Sequence, residues 1–381
     1  MTSLRVEGWR GINHSYAMVN QYQLLELLDY DGLTISHRDM PFYNAAWSPE
    51  RNPSGFDAER LRRIQSIPAA DDAGAADIVY RISSPYRFSA PKAGRLFVFG
   101  TSEFQNIDGD ADTSGLDEGV RNNALTIVTP SRWSKVGFVK AGFPEARVAV
   151  VPHGVNCDIF KPSSPERRAR VRKNIGLADG EFAMLFIGGM PLNKGPDLLI
   201  FAYALLRQRY KHVRLILKES SGLYSKRADK IFNELMQTRP DVVTEDVRAS
   251  IINMPHTLSL DQLSALYGAA DCYAAPYRAE GFNIPPLEAA ACGIPVVITK
   301  GGSTDDYCDD SFALGIDGAP MSNGPDTFIE PDLESFLAQL TALIEGRAGG
   351  IDPAAAVRLI SEKHSWTAVT AQLMDVLSRQ R

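Results

Sequence analysis

Cysteine is scarce in this 381-residue chain. The four present (Cys157, Cys272, Cys292, Cys308) are scattered, with no C-x-x-C spacing. That excludes a disulfide framework and a zinc site of the usual ligand spacing, and it fits a reducing compartment. Long apolar runs are also missing: none approaches the roughly 18–20 residues that a membrane span needs. The opening "MTSLRVEGWRGINHSYA" lacks the basic-then-apolar pattern of a secretory signal, so a cytoplasmic location is expected. Excess positive charge is absent too. The net charge is −6, spread along the chain, which removes nucleic acid as a bulk electrostatic partner. With no low-complexity tract and no fixed-period repeat, disordered and solenoid classes fall away.

What is present is the composition of a globular protein, 44% hydrophobic and 23% charged, at a length suited to two domains. From about residue 76, short β-branched runs alternate with helical patterns. "DIVYRIS", "RLFVFG", "ALTIVTP", "ARVAVVP", "FAMLFIGG", "VRLILK" and "GIPVVITK" read as buried strands. "PDLLIFAYALLRQRY" (196–210) puts Leu198, Leu199, Ala202, Leu205 and Leu206 on one helical stripe. "SLDQLSALYGAAD" starts a helix with Ser259 as its N-cap. This alternation predicts an α/β fold with parallel sheets covered by helices on both faces. The segment "VPHGVNCDIFKPSSPERRARVRK" interrupts it, giving an N-terminal domain over 1–158 and a C-terminal one over 159–364. The closing helix, 365–381, can pack back onto the first. Region 38–75 reads as irregular, with a helix near 57–66.

In open α/β sheets, ligands bind beyond the carboxyl ends of the strands. Three such ends carry suitable chemistry. In "FIGGMPLNKGPDLLI" a strand ends at Gly188 and Gly189, and Lys194 stands beside the start of a helix. Glycines admit an anion to backbone N–H groups, and the helix start and the lysine add positive charge. An ordinary strand–helix turn with a surface lysine accounts for the same residues. Lys218 ends the apolar strand "VRLILK", where it either snorkels to solvent or faces a ligand. The third end is "RAEGFNIPPLEAAACGIPVV" (278–297), with Glu280 and Glu288 eight apart. Pro285 and Pro286 suit a first helical turn, placing Asn283 or Ile284 at the cap and Glu288 in the first turn or so. There Glu288 either complements the helix dipole or accepts two hydroxyl hydrogen bonds, as proteins hold a ribose.

The third stretch resembles the E-x7-E signature of retaining GT-B glycosyltransferases of family 4. The likeness extends to "FIGGMPLNKGPDLLI", similar to the family's phosphate loop, and to "VTPSRWSKVGFVKAGFPEARVAVVPHGVNCDIFKP" and "LSLDQLSALYGAADCYAAPYRAEGF" on either side. It is strong from about 124 to 302 and weak before that. The resemblance implies two Rossmann-like domains facing across a cleft, with a nucleotide-diphosphate sugar, UDP- or GDP-linked, held mainly by the second. Glu288 would take the ribose hydroxyls and Glu280 the transferred sugar. Gly281, Phe282, Asn283 and Ile284 would meet sugar and phosphate through their backbone. Lys194 would hold the diphosphate, with Lys218 as a second cation. Gly11, in "WRGINHSYA", resembles the N-terminal glycine loop; a plain strand–helix turn is the other reading. No metal or separate cofactor is implied.

Two departures stand out. Relatives often carry Arg where this chain has Gly189, so Lys218, Arg278 or Arg10 is expected to supply the missing charge. Relatives also often end an N-domain strand in His, where "RLFVFGTSEFQN" ends in Thr101, Ser102 and Glu103. His14 and Glu103 are left as candidates for sugar or acceptor contact, His14 with an equal claim to a structural role. "DGDADTSG" (108–115) sets Asp108, Asp110 and Asp112 alternately, but Gly119 stands where a calcium loop needs Glu, so an acidic surface loop is expected.

The expected activity is therefore retaining hexosyl transfer to an acceptor hydroxyl of unknown type. The alternatives are a hydrolase or epimerase on the same fold, or a nucleotide-sugar-binding protein without turnover. The helix "SRWSKVGFVKAG", carrying Arg132, Lys135 and Lys140, allows peripheral membrane contact, although a solvated face suits it better. Aromatic-rich region 41–56 reads as acceptor contact or as a packed surface loop.

Overall fold

The computed structural model describes residues 1–71, 74–112, 125–219, 223 and 227–379. The chain divides into two compact units, 1–154 with 364–381 and 155–363.

The first unit is built on a six-stranded parallel sheet ordered β2-β1-β3-β5-β7-β8. Its strands are β1 (Thr2–Gly8), β2 (Leu33–Asp39), β3 (Ile78–Ile82), β5 (Arg95–Phe99), β7 (Leu125–Thr129) and β8 (Val148–Val150). A two-residue parallel ladder joins β4 (Tyr86–Arg87) to β6 (Ala111–Asp112). Helices α1 (Ser15–Leu27), α2 (Ala58–Gln65) and α3 (Arg132–Lys140) start on the side-chain caps His14, Asp57 and Ser131. Each cap accepts a bond from an otherwise orphaned N–H of the first turn. The central strands β3, β5 and β7 are almost wholly buried, as near-continuous apolar runs require.

The second unit repeats the plan, with a parallel sheet ordered β11-β10-β9-β12-β13-β14. These are β9 (Phe182–Gly188), β10 (Val213–Glu219), β11 (Ile252–Met254), β12 (Cys272–Ala275), β13 (Val296–Thr299) and β14 (Ala313–Ile316). An antiparallel hairpin follows, β15 (Gly318–Asn323) with β16 (Asp326–Pro331). Its helices are α4 (Pro165–Asn174), α5 (Pro196–Arg209), α6 (Ala228–Thr238), α7 (Glu245–Ala249), α8 (Leu260–Ala269), α9 (Ile284–Ala291), α10 (Leu333–Ile344) and α11 (Pro353–His364). Helix α8 opens with a full capping box, Ser259 and Gln262 each bonding the other's backbone. The last helix, α12 (Trp366–Ser378), belongs to the first unit, where Trp366 stacks on Tyr22 at 4.9 Å.

Each sheet changes winding direction once: between β1 and β3 in the first unit, and between β9 and β12 in the second. At such a switch point the loops leaving adjacent strands diverge and open a crevice at the carboxyl ends. The second unit's switch point is where the charged, glycine-rich sequence lies.

Among the described residues, no helix is long and apolar enough to cross a membrane. The acidic stretch 108–115 is only partly described. Asp108 and Asp110 sit in an exposed turn before β6, and 113–115, like Gly119, lies outside the described residues. Helix α3 does carry Arg132, Lys135 and Lys140, and it also exposes Val136 and Val139.

Candidate active site

Strands β9 and β12 are direct neighbours, with Cys272 opposite Met184 and Tyr273 opposite Leu185. The loops that leave them are therefore side by side, and the backbone locks them together. Asn193 O accepts from the N–H groups of both Arg278 (2.6 Å) and Ala279 (3.1 Å). Asn193 also donates its side-chain amide to Ala279 O at 2.9 Å. Gly195, with φ of 70°, caps α5, and a Cβ placed there would lie 1.9 Å from Pro276 O. Only glycine fits so close a backbone crossing.

This register brings Lys194 and Glu280 into an ion pair, the Nζ meeting Oε1. Glu280 is buried at 6% exposure, while Lys194 keeps about a fifth of its side chain in solvent (21%). Asn283 caps α9 with φ of 72°, the left-handed region that asparagine tolerates best among non-glycine residues. Its carbonyl accepts from Tyr307 Oη at 2.5 Å. Pro285 and Pro286 bring no N–H, so this helix start lacks two of the donors that an ordinary first turn presents. Phe282 is buried against Tyr307, with ring centroids 4.9 Å apart.

Asn283 takes the cap as expected, and Glu288 falls just past the first turn. Helix α9 begins at Ile284, so Glu288 is its fifth residue and no acid occupies the first turn. A dipole-complementing role therefore loses its basis, because that effect fades beyond the first turn. The Glu288 carboxyl is packed inward, where Tyr267 Oη donates to Oε2 at 2.7 Å. Burial pushes this carboxyl up to about 7, against the opposing effect of the Tyr267 hydrogen bond.

Lys218, opposite Ile187 and one residue before the end of β10, is buried, and its Nζ donates to Glu219 O at 2.6 Å. Desolvation lowers its pKa from the usual lysine range. Gly188 ends β9, and Gly189 follows in the loop. The neighbouring acid, Glu219, caps α6 by accepting from Ala228 N at 3.1 Å.

Two expected substitutes for the missing arginine are committed elsewhere. Arg278 forms a bidentate pair with Asp197 (2.8 and 2.9 Å), a second with Glu330 (2.8 and 2.9 Å), and donates to Leu192 O. It ties the hairpin, the start of α5 and the Glu280 loop together, so it is a structural clasp. Arg10 is likewise held by Asp39 at 2.7 and 2.9 Å and by Ile64 O. Arg278→Leu is expected to lower stability by roughly 1–3 kcal/mol, because two half-buried carboxylates lose their partner. Chemical denaturation with Asp197→Asn as comparison measures it.

In the first unit, Gly11 follows β1 with φ of 87°, and its N–H donates to Gln21 Oε1 at 2.8 Å. His14 caps α1, with Nδ1 accepting from Tyr16 N at 3.3 Å. Its ring packs 5.2 Å from Trp9 and 4.9 Å from Trp47. The structural reading of His14 is thus visible in its contacts. Glu103 is half-buried beyond β5 and its carbonyl accepts from Trp133 Nε1 at 2.7 Å. Thr101, just before it, bonds Tyr16 and Tyr86. In region 41–56, Trp47 packs inward while Tyr43 is exposed.

Sequence reasoning missed Asn193, Tyr267, Tyr273 and Tyr307. Tyr273 is buried on β12, its pKa driven up by burial and by both Glu280 and Glu288, so it stands near the two carboxylates. In the sequence each tyrosine reads as an ordinary core residue.

This architecture is the GT-B glycosyltransferase fold. The Anabaena protein Alr3699/HepE, solved in complex with UDP-glucose, aligns over 99% of this chain and 100% of its own at TM-score 0.67 and 16% identity. The lipopolysaccharide-biosynthesis glycosyltransferase WaaG aligns over the whole of both chains at TM-score 0.62 and 14% identity. Residues 167–319 match the family described as "Glycosyl transferases group 1". The chain is 31% identical over 233 residues to a D-inositol 3-phosphate glycosyltransferase of Pseudarthrobacter chlorophenolicus, covering 60% of this chain and 49% of that protein. It is 30% identical over 210 residues to a GDP-mannose-dependent alpha-(1-6)-phosphatidylinositol monomannoside mannosyltransferase of Mycolicibacterium smegmatis, covering 53% and 51%. The chain spans about half the length of these relatives.

Proposed function

We propose that the chain transfers a hexosyl group from a UDP- or GDP-linked sugar to an acceptor hydroxyl, with retention of anomeric configuration. The observation that carries this reading is the Lys194–Glu280 pair on two interlocked loops at the β9/β12 switch point, with Glu288 on the helix α9 that follows and Tyr273 near both carboxylates, inside the matched segment. The names of two similar proteins support the donor class, one GDP-mannose-dependent and one holding UDP-glucose.

The barrier to such transfer is mostly charge: an oxocarbenium-like sugar and a departing diphosphate. Lys194, backed by Lys218 and by the N–H groups of Gly281 to Ile284, is assigned to the leaving diphosphate, a preorganised electrostatic contribution. Glu280 faces the sugar and answers its developing positive charge. In same-face attack, the acceptor oxygen bonds to the anomeric carbon as the carbon–phosphate oxygen bond breaks, and the acceptor's proton passes to the leaving phosphate. Protein cations then take the role a divalent metal would have, so turnover is expected to persist in EDTA. The Gly11 loop, His14 and Glu103 are assigned to the sugar or acceptor side.

The test follows the slow transfer to water by proton NMR, using UDP-glucose and GDP-mannose without added acceptor. The α-anomer as the first free sugar, with nucleotide release, supports retaining turnover. The β-anomer first contradicts retention. Binding without release favours a nucleotide-sugar-binding protein, a reading encouraged by the missing arginine at Gly189 and by the commitment of Arg10 and Arg278.

A further inference from the structure

We propose that Tyr267 is a positioning residue for nucleotide binding: its hydroxyl holds one carboxylate oxygen of Glu288 so that the other is presented to the vicinal hydroxyls of the donor ribose. This rests on the reading of Glu288 given above. Three observations carry it. Tyr267 is fully buried and donates to Glu288 Oε2 at 2.7 Å. Its ring is wedged between Phe160 at 5.9 Å and Tyr273 at 6.2 Å, so the hydroxyl has no freedom to follow a wandering carboxylate. The backbone beneath it is pinned as well. The closing carbonyls of α8 and its cap are taken by α4: Arg168 bonds Gly268 O at 2.7 Å and Ala270 O at 2.6 Å, and Arg172 bonds Ala269 O at 2.8 Å.

A glutamate has three side-chain torsions, and ordering them on binding costs affinity. With Oε2 fixed in the folded protein, that cost is met before the nucleotide arrives. The bond also favours the charged carboxylate, which accepts from both ribose hydroxyls. The other ionisable groups against Glu288 are Tyr267, Tyr273 and Cys292, and burial pushes all three upward, Cys292 to about 12. A titration of binding between about pH 5 and pH 9 therefore reads Glu288 alone among them. Affinity is present above the Glu288 midpoint near 7 and falls as pH drops through it.

The experiment is isothermal titration of the full chain with UDP, GDP and their 2′,3′-dideoxy analogues across this pH range, for wild type, Tyr267→Phe and Glu288→Ala. Tyr267→Phe keeps the ring, and a thermal melt checks its fold. The expected result is roughly tenfold weaker binding of the ribonucleotide at neutral pH, a hydrogen bond to a charged group being lost. The binding midpoint moves to higher pH, and the difference from wild type vanishes with the dideoxy nucleotide. A role in packing alone predicts equal losses for both nucleotides and an unmoved midpoint, and that result overturns the proposal. If Glu288→Ala itself binds ribonucleotide like wild type, the reading of Glu288 fails first. If Glu288→Ala loses binding and Tyr267→Phe does not, only the Tyr267 proposal fails.

Discussion

Glu280→Gln is expected to lower the transfer rate by about 10²–10³-fold while leaving nucleoside diphosphate binding intact or tighter. Glutamine keeps the shape of the side chain and removes its charge. Glu280 is buried at 6% exposure and paired with Lys194, so its carboxylate acts in surroundings where charge is poorly screened. On the proposed reading, removing that charge takes away the group opposite the developing oxocarbenium ion. It also releases Lys194 from a competing anion, which is why diphosphate affinity does not fall. Initial rates and titrations on the same preparation separate the two effects. An unchanged kcat would leave Glu280 as a structural partner of Lys194 and return the chemistry to other groups.

Gly195→Ala carries the second large effect: a loss of roughly 2–4 kcal/mol of stability together with loss of nucleotide binding. The φ of 70° costs any residue with a Cβ about 1–2 kcal/mol. The contact adds more, because the atom 1.9 Å away is the backbone carbonyl of Pro276, which cannot rotate aside as a side chain would. Relief requires the two loops to part, and those loops carry Lys194 and Glu280. Gly324→Ala in the hairpin turn is the control: its φ is 59° and nothing stands within 4 Å of the added carbon. That variant is expected to lose only the backbone term and to bind nucleotide normally. Urea denaturation of both, with titration, measures the difference.

Much of this was readable in the sequence because its signals are local. The apolar β-branched runs coincide with β3, β5, β7, β9, β10 and β13, since a buried parallel strand needs both faces apolar. Ser259, Asp57 and Pro196 mark helix starts by chemistry that acts over three residues. The glycine- and proline-rich loops announced the second unit's strand ends for the same reason. What escaped was set by distant pairs. Arg278 looked like a spare cation because its partners lie 81 and 52 residues away and leave no spacing pattern. Tyr267 and Tyr273 sat on apolar stripes and passed as core. The cap at Asn283 was legible, but whether Glu288 falls in the first turn or just past it was not, because a Pro-Pro pair fixes only that a helix is near its start. Here Ile284 takes the first position and the prolines the next two. The first unit is the least legible part, since it spends its conspicuous aromatics, Trp9, His14 and Trp47, on packing one another.

The central claim is that the β9/β12 switch point holds a nucleotide through Glu288. Isothermal titration of the full chain with UDP, GDP and ADP, alongside Glu288→Ala, tests it most directly. The account predicts that UDP or GDP binds, and that Glu288→Ala abolishes that binding while melting like wild type. Equal binding by the mutant, or a mutant that fails to fold, would contradict it and make Glu288 a structural residue of α9.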